Sequence, residues 1–188
     1  MTDKLYISPQ SLLEDSFELG SMILESGFQP SFIIALWRGA APIGIAVQEF
    51  LAYNGIITDH IAIRTSSYTG IDSQTREVEI HGINYLIKNV TFKDRLLIVD
   101  DVFDTGQTID SVLKRLKAKA RRNMPGDIRV AVPYYKPNRN RSSRSPDYFI
   151  HETDQWIKFP HSLEGLTDDE IRKNRPSLHA ILESVADE

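Results

Sequence analysis

Cysteine is absent from all 188 residues, which removes disulfide scaffolds, thiolate zinc sites and cysteine nucleophiles together and fits a reducing compartment. Long apolar runs are also missing. The longest, Phe32 to Trp37 and Leu96 to Val99, fall far below the roughly 20 residues a membrane helix needs. The opening MTDKLYISPQ lacks the basic-then-apolar order of a secretory signal, so the expected location is the cytoplasm, with no membrane partner. A basic excess is missing too. Lys plus Arg number 22 against 26 Asp plus Glu, whereas a nucleic-acid surface is usually positive, so stable nucleic-acid binding is not expected. The phosphate-loop pattern GxxxxGK[ST] and the HExxH zinc helix do not occur, and His60, His81, His151, His161 and His179 show no paired metal spacing.

What remains is an ordinary globular composition, 41% hydrophobic and 26% charged, of one domain's length. From Ser8 to Gly27 apolar residues recur at helical spacing behind Pro9. Ser31 to Trp37 reads as a strand covered on both faces, followed by the turn Arg38-Gly39 and a helix opened by Pro42. His60 to Tyr68 alternates like a strand, residues 67–77 read as a mobile loop, and Val78 to Lys88 as further extended structure. Leu96 to Val99 is the strongest buried-strand signal and leads through a polar loop into a helix over 109–122; Asp127 to Tyr135 and 147–152 are further strands, and Thr167 caps a last helix. Strands alternating with helices predict an α/β fold with a mainly parallel sheet.

In such sheets ligands gather outside the carboxyl ends of the strands. There the chain places Asp100-Asp101-Val102-Phe103-Asp104-Thr105-Gly106-Gln107-Thr108, three carboxylates, a glycine and two hydroxyls between a buried strand and a helix start. A helix N-terminus leaves backbone N–H groups unpaired, Gly106 permits close approach, and Thr105 and Thr108 add hydroxyls, which together make a phosphate cradle. Asp100 and Asp101 are acceptors suited to sugar hydroxyls or to Mg²⁺ through water. Asp-Thr-Gly by itself is ordinary turn chemistry; three carboxylates at a buried strand's end serve no packing need.

The string LLIVDDVFDTGQTI resembles the ribose-phosphate signature of the type I phosphoribosyltransferases. Arg38-Gly39, Ser67-Tyr68, Lys136-Pro137 and Trp156-Ile157 follow in that family's order, over roughly residues 31–160. Lys136 with TDQWIKFP looks most like the 6-oxopurine branch, the hypoxanthine, guanine and xanthine enzymes of purine salvage. The resemblance implies a type I phosphoribosyltransferase fold, a single domain with its core over about 31–135 and a small hood from 1–30 and 136–188. It also implies Mg²⁺, phosphoribosyl pyrophosphate, a purine base, nucleoside monophosphate and pyrophosphate as ligands, and a homodimer or homotetramer. By the same resemblance Asp104 is the proton-exchanging base, Asp100 and Asp101 hold the ribose or its metal, and Thr105, Gly106, Gln107 and Thr108 hold the 5′-phosphate. Arg38 and Gly39 meet the pyrophosphate, Ser67 and Tyr68 open a closing loop, and Lys136, Trp156 and Ile157 meet the purine. An ammonium at Lys136 would donate to a 6-oxo group and reject adenine, whose exocyclic amine is itself a donor.

The alternatives are plain ones. Arg38-Gly39 alone is an ordinary turn, and Trp156 alone is core packing. The family's acidic metal residue is missing at Ser162, and Glu164 is its candidate replacement. Arg139, Arg141 and Arg144 read as a solvated loop, with a basic rim for phosphates as the other reading. The run from Lys114 to Arg122 reads as a solvated helix face. Two rival functions stay open: a nucleotide-sensing regulator on the same fold, and transfer to another base.

Overall fold

The computed structural model describes residues 4–68 and 77–186. The chain divides into two compact units, Pro9–Asp154 and a smaller one made of Met1–Ser8 with Gln155–Glu188; the hood expected from sequence had its limits at 30 and 136.

The larger unit is built on a seven-stranded sheet. Its elements are α1 (Pro9–Glu25), β2 (Phe32–Trp37), α2 (Ala41–Tyr53), β3 (Asp59–Tyr68), β4 (Glu77–His81), α3 (Ile83–Asn89), β5 (Arg95–Val99), β6 (Val102–Phe103), α4 (Gln107–Ala120), β7 (Asp127–Tyr135) and β8 (Tyr148–Glu152), where β1 (Lys4–Tyr6) belongs to the smaller unit. The order is β4-β3-β2-β5-β7-β6, with β8 also paired to β7. Every pairing is parallel except β3 with β4, so the expected mainly parallel sheet flanked by helices is what forms. The core strands are the apolar runs of the sequence: Ile33, Ile34 and Leu36 of β2 and Leu96, Leu97, Ile98 and Val99 of β5 are each at most 2% exposed. Such runs are covered on both faces, which is why they do not alternate. α2 lies close on β2 because Gly44 presses against Ala35, where an added Cβ would fall 2.7 Å from the alanine methyl. In α4 the buried positions Ile109, Val112, Leu116 and Ala120 follow the helical repeat, while Lys114, Arg115, Lys117, Lys119, Arg121 and Arg122 are solvated.

Two local readings need correction. Residues 83–88, expected as extended, belong to α3: Gly82 takes φ 85°, turns the chain out of β4, and Ile83 and Leu86 bury one helical face. The helix expected from 109 begins at Gln107, so Gln107 and Thr108 belong to its first turn. Of the loop expected over 67–77, Ser67, Tyr68 and Glu77 are strand residues of β3 and β4, and 69–76 lie outside the described residues.

In the smaller unit β1 pairs in parallel with β9 (Trp156–Lys158), and α5 (Asp168–Asn174) and α6 (Pro176–Ala186) follow. Thr167 caps α5 as expected, within a reciprocal capping box with Glu170. Glu170 also takes Lys4 Nζ at 2.5 Å and the Tyr6 hydroxyl at 3.2 Å, and the Lys4 bond first, with the cap's backbone N–H, holds its carboxyl down to about 2. Among the described residues no helix is long and apolar enough to cross a membrane.

Candidate functional site

The strand order fixes where a ligand belongs. β2 runs to β3 on one side and meets β5 on the other, so the direction of winding reverses between β2 and β5, and the loops after these strands splay apart at their carboxyl ends. A cleft of about 340 Å³ lies there, lined by Arg38, Gly39, Thr65, Asp100, Asp101, Asp104, Thr105, Gly106 and Thr108 together with Trp37 and Phe103.

The acidic pair sits where β5 lets go of β7. Their pairing stops at Val99 with Ala131 and resumes as β6 at Val102 with Tyr134, because Pro133 brings no N–H to the ladder. In the gap the Asp100 N–H donates to the Ala131 carbonyl at 3.1 Å, and the Asp101 N–H donates to Asp100 Oδ1 at 3.0 Å. Burial, and then the Asp101 charge, push the Asp100 carboxyl well above its usual range; Asp101 is raised as well, by burial first. Two crowded carboxylates that resist ionising call for a positive partner.

Gly39 touches this pair. A Cβ at 39 would fall 1.8 Å from Asp101 Oδ2, so the turn after β2 closes on the acidic floor only because residue 39 has no side chain. The peptide bond between Trp37 and Arg38 is cis.

The next turn forms the cradle. Gly106 takes φ 78°, a left-handed value that suits glycine, and the Gln107 N–H reaches Thr105 Oγ1 only at 3.5 Å. The first-turn N–H groups of α4 therefore stand at the cleft with the positive end of the helix dipole behind them. Gln107 heads the helix and does not line the cleft, unlike its neighbours Thr105, Gly106 and Thr108.

Lys136 comes alongside through the backbone: its N–H donates to the Phe103 carbonyl at 2.9 Å, which sets it beside Asp104. Its side chain is 4% exposed, and burial first, with the Arg139 charge, pushes its ammonium pKa down against the pull of Asp104 and Asp154.

Sequence reasoning missed several features here. Arg139 is exposed, as a solvated loop residue would be, yet its Nε lies 2.7 Å from Asp104 Oδ1. Arg141 donates its N–H to the Thr105 carbonyl at 3.0 Å, and Arg144 pairs with Asp147 at 3.0 Å. Thr65, at the end of β3, also lines the cleft. Ser67 and Tyr68 are the last residues of β3, paired with Val78 and Glu77; their side chains lie outside the described residues.

Trp156, Ile157 and Glu164 belong to the smaller unit, where they line a separate hollow of about 540 Å³ with Lys4, Lys158 and Ser162. Trp156 is 54% exposed, which rules out the core-packing reading. The Glu164 carbonyl accepts from Lys158 Nζ at 2.6 Å.

The comparisons with known proteins agree with this geometry. The family model described as phosphoribosyl transferase domain matches residues 6–166. No curated protein matches the sequence. Among solved structures the chain is similar to a purine phosphoribosyltransferase from Pyrococcus horikoshii Ot3, with 26% identity, 87% of this chain and 97% of that one covered, and a TM-score of 0.69. It is also similar in fold to a hypothetical protein from Neisseria gonorrhoeae with bound ppGpp, with 21% identity, 94% and 98% covered and a TM-score of 0.72. A xanthine-guanine-hypoxanthine phosphoribosyltransferase from Helicobacter pylori shares the fold at 22% identity, with 84% and 92% covered and a TM-score of 0.62. A family match spanning nearly the whole sheet and its carboxyl-edge loops leads to one conclusion: the chain belongs to the phosphoribosyl transferase domain family.

Proposed function

We propose that this phosphoribosyltransferase acts in purine salvage, transferring the 5-phosphoribosyl group of phosphoribosyl pyrophosphate to hypoxanthine, guanine or xanthine. The observation that carries the reading is the seating of Asp104 between the cradle of Thr105, Gly106 and Thr108 and the buried Lys136, which is tied to Phe103. A carboxylate and a lysine ammonium beside a phosphate site are what a 6-oxopurine needs: one group for its imidazole N–H, one for its carbonyl.

In this reading the cradle holds the 5′-phosphate on backbone N–H groups and two hydroxyls. Arg38 and the Gly39 turn meet the pyrophosphate, and Asp100 and Asp101 hold the ribose hydroxyls and a cation. The donor set suits Mg²⁺: two half-buried carboxylates side by side, crowded enough to resist ionising without a positive partner. When bound, Mg²⁺ neutralises charge on the departing pyrophosphate. Glu164 of the smaller unit is the proposed stand-in for the acidic residue missing at Ser162. As the purine N9 forms its bond to C1′, the C1′–oxygen bond to pyrophosphate breaks, and the N7 proton passes to Asp104, leaving nucleoside monophosphate and pyrophosphate. Lys136 donates to the 6-oxo group, Trp156 offers a ring face for stacking and Ile157 meets the base through its backbone. In the same reading Ser67 and Tyr68 serve to keep water from the sugar cation. We place the reaction in the cytoplasm, with a homodimer or homotetramer as the working form.

A second reading, a nucleotide-sensing regulator, draws on the Neisseria gonorrhoeae protein of the same fold with bound ppGpp. In that case phosphoribosyl pyrophosphate would be bound and not consumed. Nucleotide formation with hypoxanthine, guanine, xanthine, adenine and orotate separates the readings. We expect turnover of 6-oxopurines alone, and a preference over adenine that falls by about tenfold or more in Lys136→Ala. Equal use of adenine by the wild type would refute the base assignment, and no turnover with any base would refute catalysis.

A further inference from the structure

The segment after Lys136 folds back onto the cradle. Pro137–Arg139 make one 3₁₀ turn, and the Arg141 N–H then donates to the Thr105 carbonyl at 3.0 Å. The Ser142 hydroxyl donates to Asp110 Oδ1 at 2.8 Å, and the Ser142 N–H to Asn140 Oδ1 at 2.8 Å. A Cβ at Gly106 would fall 2.6 Å from the Ser142 Cβ. Residues 139–142 are thus pinned against residues 105–110 along both backbone and side chains.

This pinning delivers Arg139 to Asp104. The Nε–Oδ1 separation is 2.7 Å, yet Oδ1 is buried and accepts no well-directed hydrogen bond among the described residues. The guanidinium therefore acts on that oxygen chiefly through charge. A guanidinium is a permanent cation, so it steadies a carboxylate without supplying it with an acid. A lysine would bring a point charge without the planar fork.

We infer that Arg139 is a positioning residue for Asp104, engaging one carboxylate oxygen so that the group is held toward the purine imidazole edge. The inference rests on the reading of Asp104 as the proton-exchanging group. Steering of a carboxylate shows in the rate of the chemical step, whereas direct contact with pyrophosphate would show in the binding of phosphoribosyl pyrophosphate.

The test is a double-mutant cycle on the full chain, with hypoxanthine and phosphoribosyl pyrophosphate as substrates. Arg139→Ala should lower kcat by about 10- to 100-fold and leave KM for phosphoribosyl pyrophosphate within about twofold. Arg139→Lys should recover part of the loss, and adding Arg139→Ala to Asp104→Asn should cost less than about twofold more. Arg139→Gln, which keeps much of the chain length without the charge, covers the case in which alanine loosens the turn; it should behave as alanine does at an unchanged melting temperature. Full additivity of the two losses, an effect on KM alone, or wild-type rates in Arg139→Gln would each overturn the inference while leaving the proposed function standing. A wild type that forms no nucleotide would overturn the functional reading and this inference with it.

Discussion

Replacing Gly39 by alanine tests how closely the turn after β2 is fitted to the acidic floor. The new Cβ would stand 1.8 Å from Asp101 Oδ2, 2.5 Å from its Cγ and 3.2 Å from its Cβ. Non-bonded carbon contacts are comfortable only near about 3.5 Å, so something must give by more than an ångström. The backbone has little room: Ala40 is fully buried at 0% exposure, α2 begins at Ala41, and Gly44 is already wedged against Ala35. The Asp101 carboxylate must therefore move. Overpacking of this kind costs about 1–3 kcal/mol of stability, and a displacement of about 1 Å in a catalytic constellation can cost about 100-fold in rate. Urea unfolding would report the first effect and initial rates of nucleotide formation the second, while calorimetric titration with phosphoribosyl pyrophosphate and Mg²⁺ should show affinity weakened by about tenfold or more. A Gly39→Ala protein with unchanged unfolding midpoint and affinity within about twofold would refute the close-fit argument.

Two further outcomes follow from the same geometry. Gly106→Ala meets both a φ of 78° and the Ser142 Cβ at 2.6 Å, so it should lose about 2 kcal/mol or more in urea unfolding; unchanged stability would mean that residues 139–142 are not held against the cradle. Glu170 is held down to about 2 from an ordinary 4.5, a lowered carboxyl, so its contribution is complete above pH 4.5 and drains away as pH falls toward 2. The melting temperature of Glu170→Gln should therefore lie below wild type at neutral pH and converge with it on acidification; a gap that widens at low pH would contradict the assignment of the Lys4 pair.

Much of the sheet was legible because its signals are local. Continuous apolar runs at 32–37 and 96–99 mark doubly covered strands, and Thr167 with Glu170 spells its own cap. The string from Asp100 to Thr108 announced a polar site for a similar reason: only a strand end facing a ligand tolerates that composition. Other features depend on partners far along the chain. β6 is two residues long and exists because β7 resumes pairing beyond Pro133. β1 forms against Trp156 to Lys158, some 150 residues later. α3 was hidden because Val78 to Ile83 alternates well enough to pass as a longer strand until Gly82 turns it. Arg139 carried the least local signal of all: three arginines in a polar stretch look solvated, and only the bonds from Arg141 and Ser142 to residues 105 and 110 bring it to Asp104.

Asp104 carries the proposed chemistry, and pyrophosphate release from phosphoribosyl pyrophosphate and hypoxanthine, wild type against Asp104→Asn, is the measurement that reaches it. The wild type should turn over, and Asp104→Asn should keep its affinity for phosphoribosyl pyrophosphate while losing about 100- to 10,000-fold in kcat, the usual share of a general base. Equal rates in the two proteins, or a wild type that binds phosphoribosyl pyrophosphate without consuming it, would contradict the account.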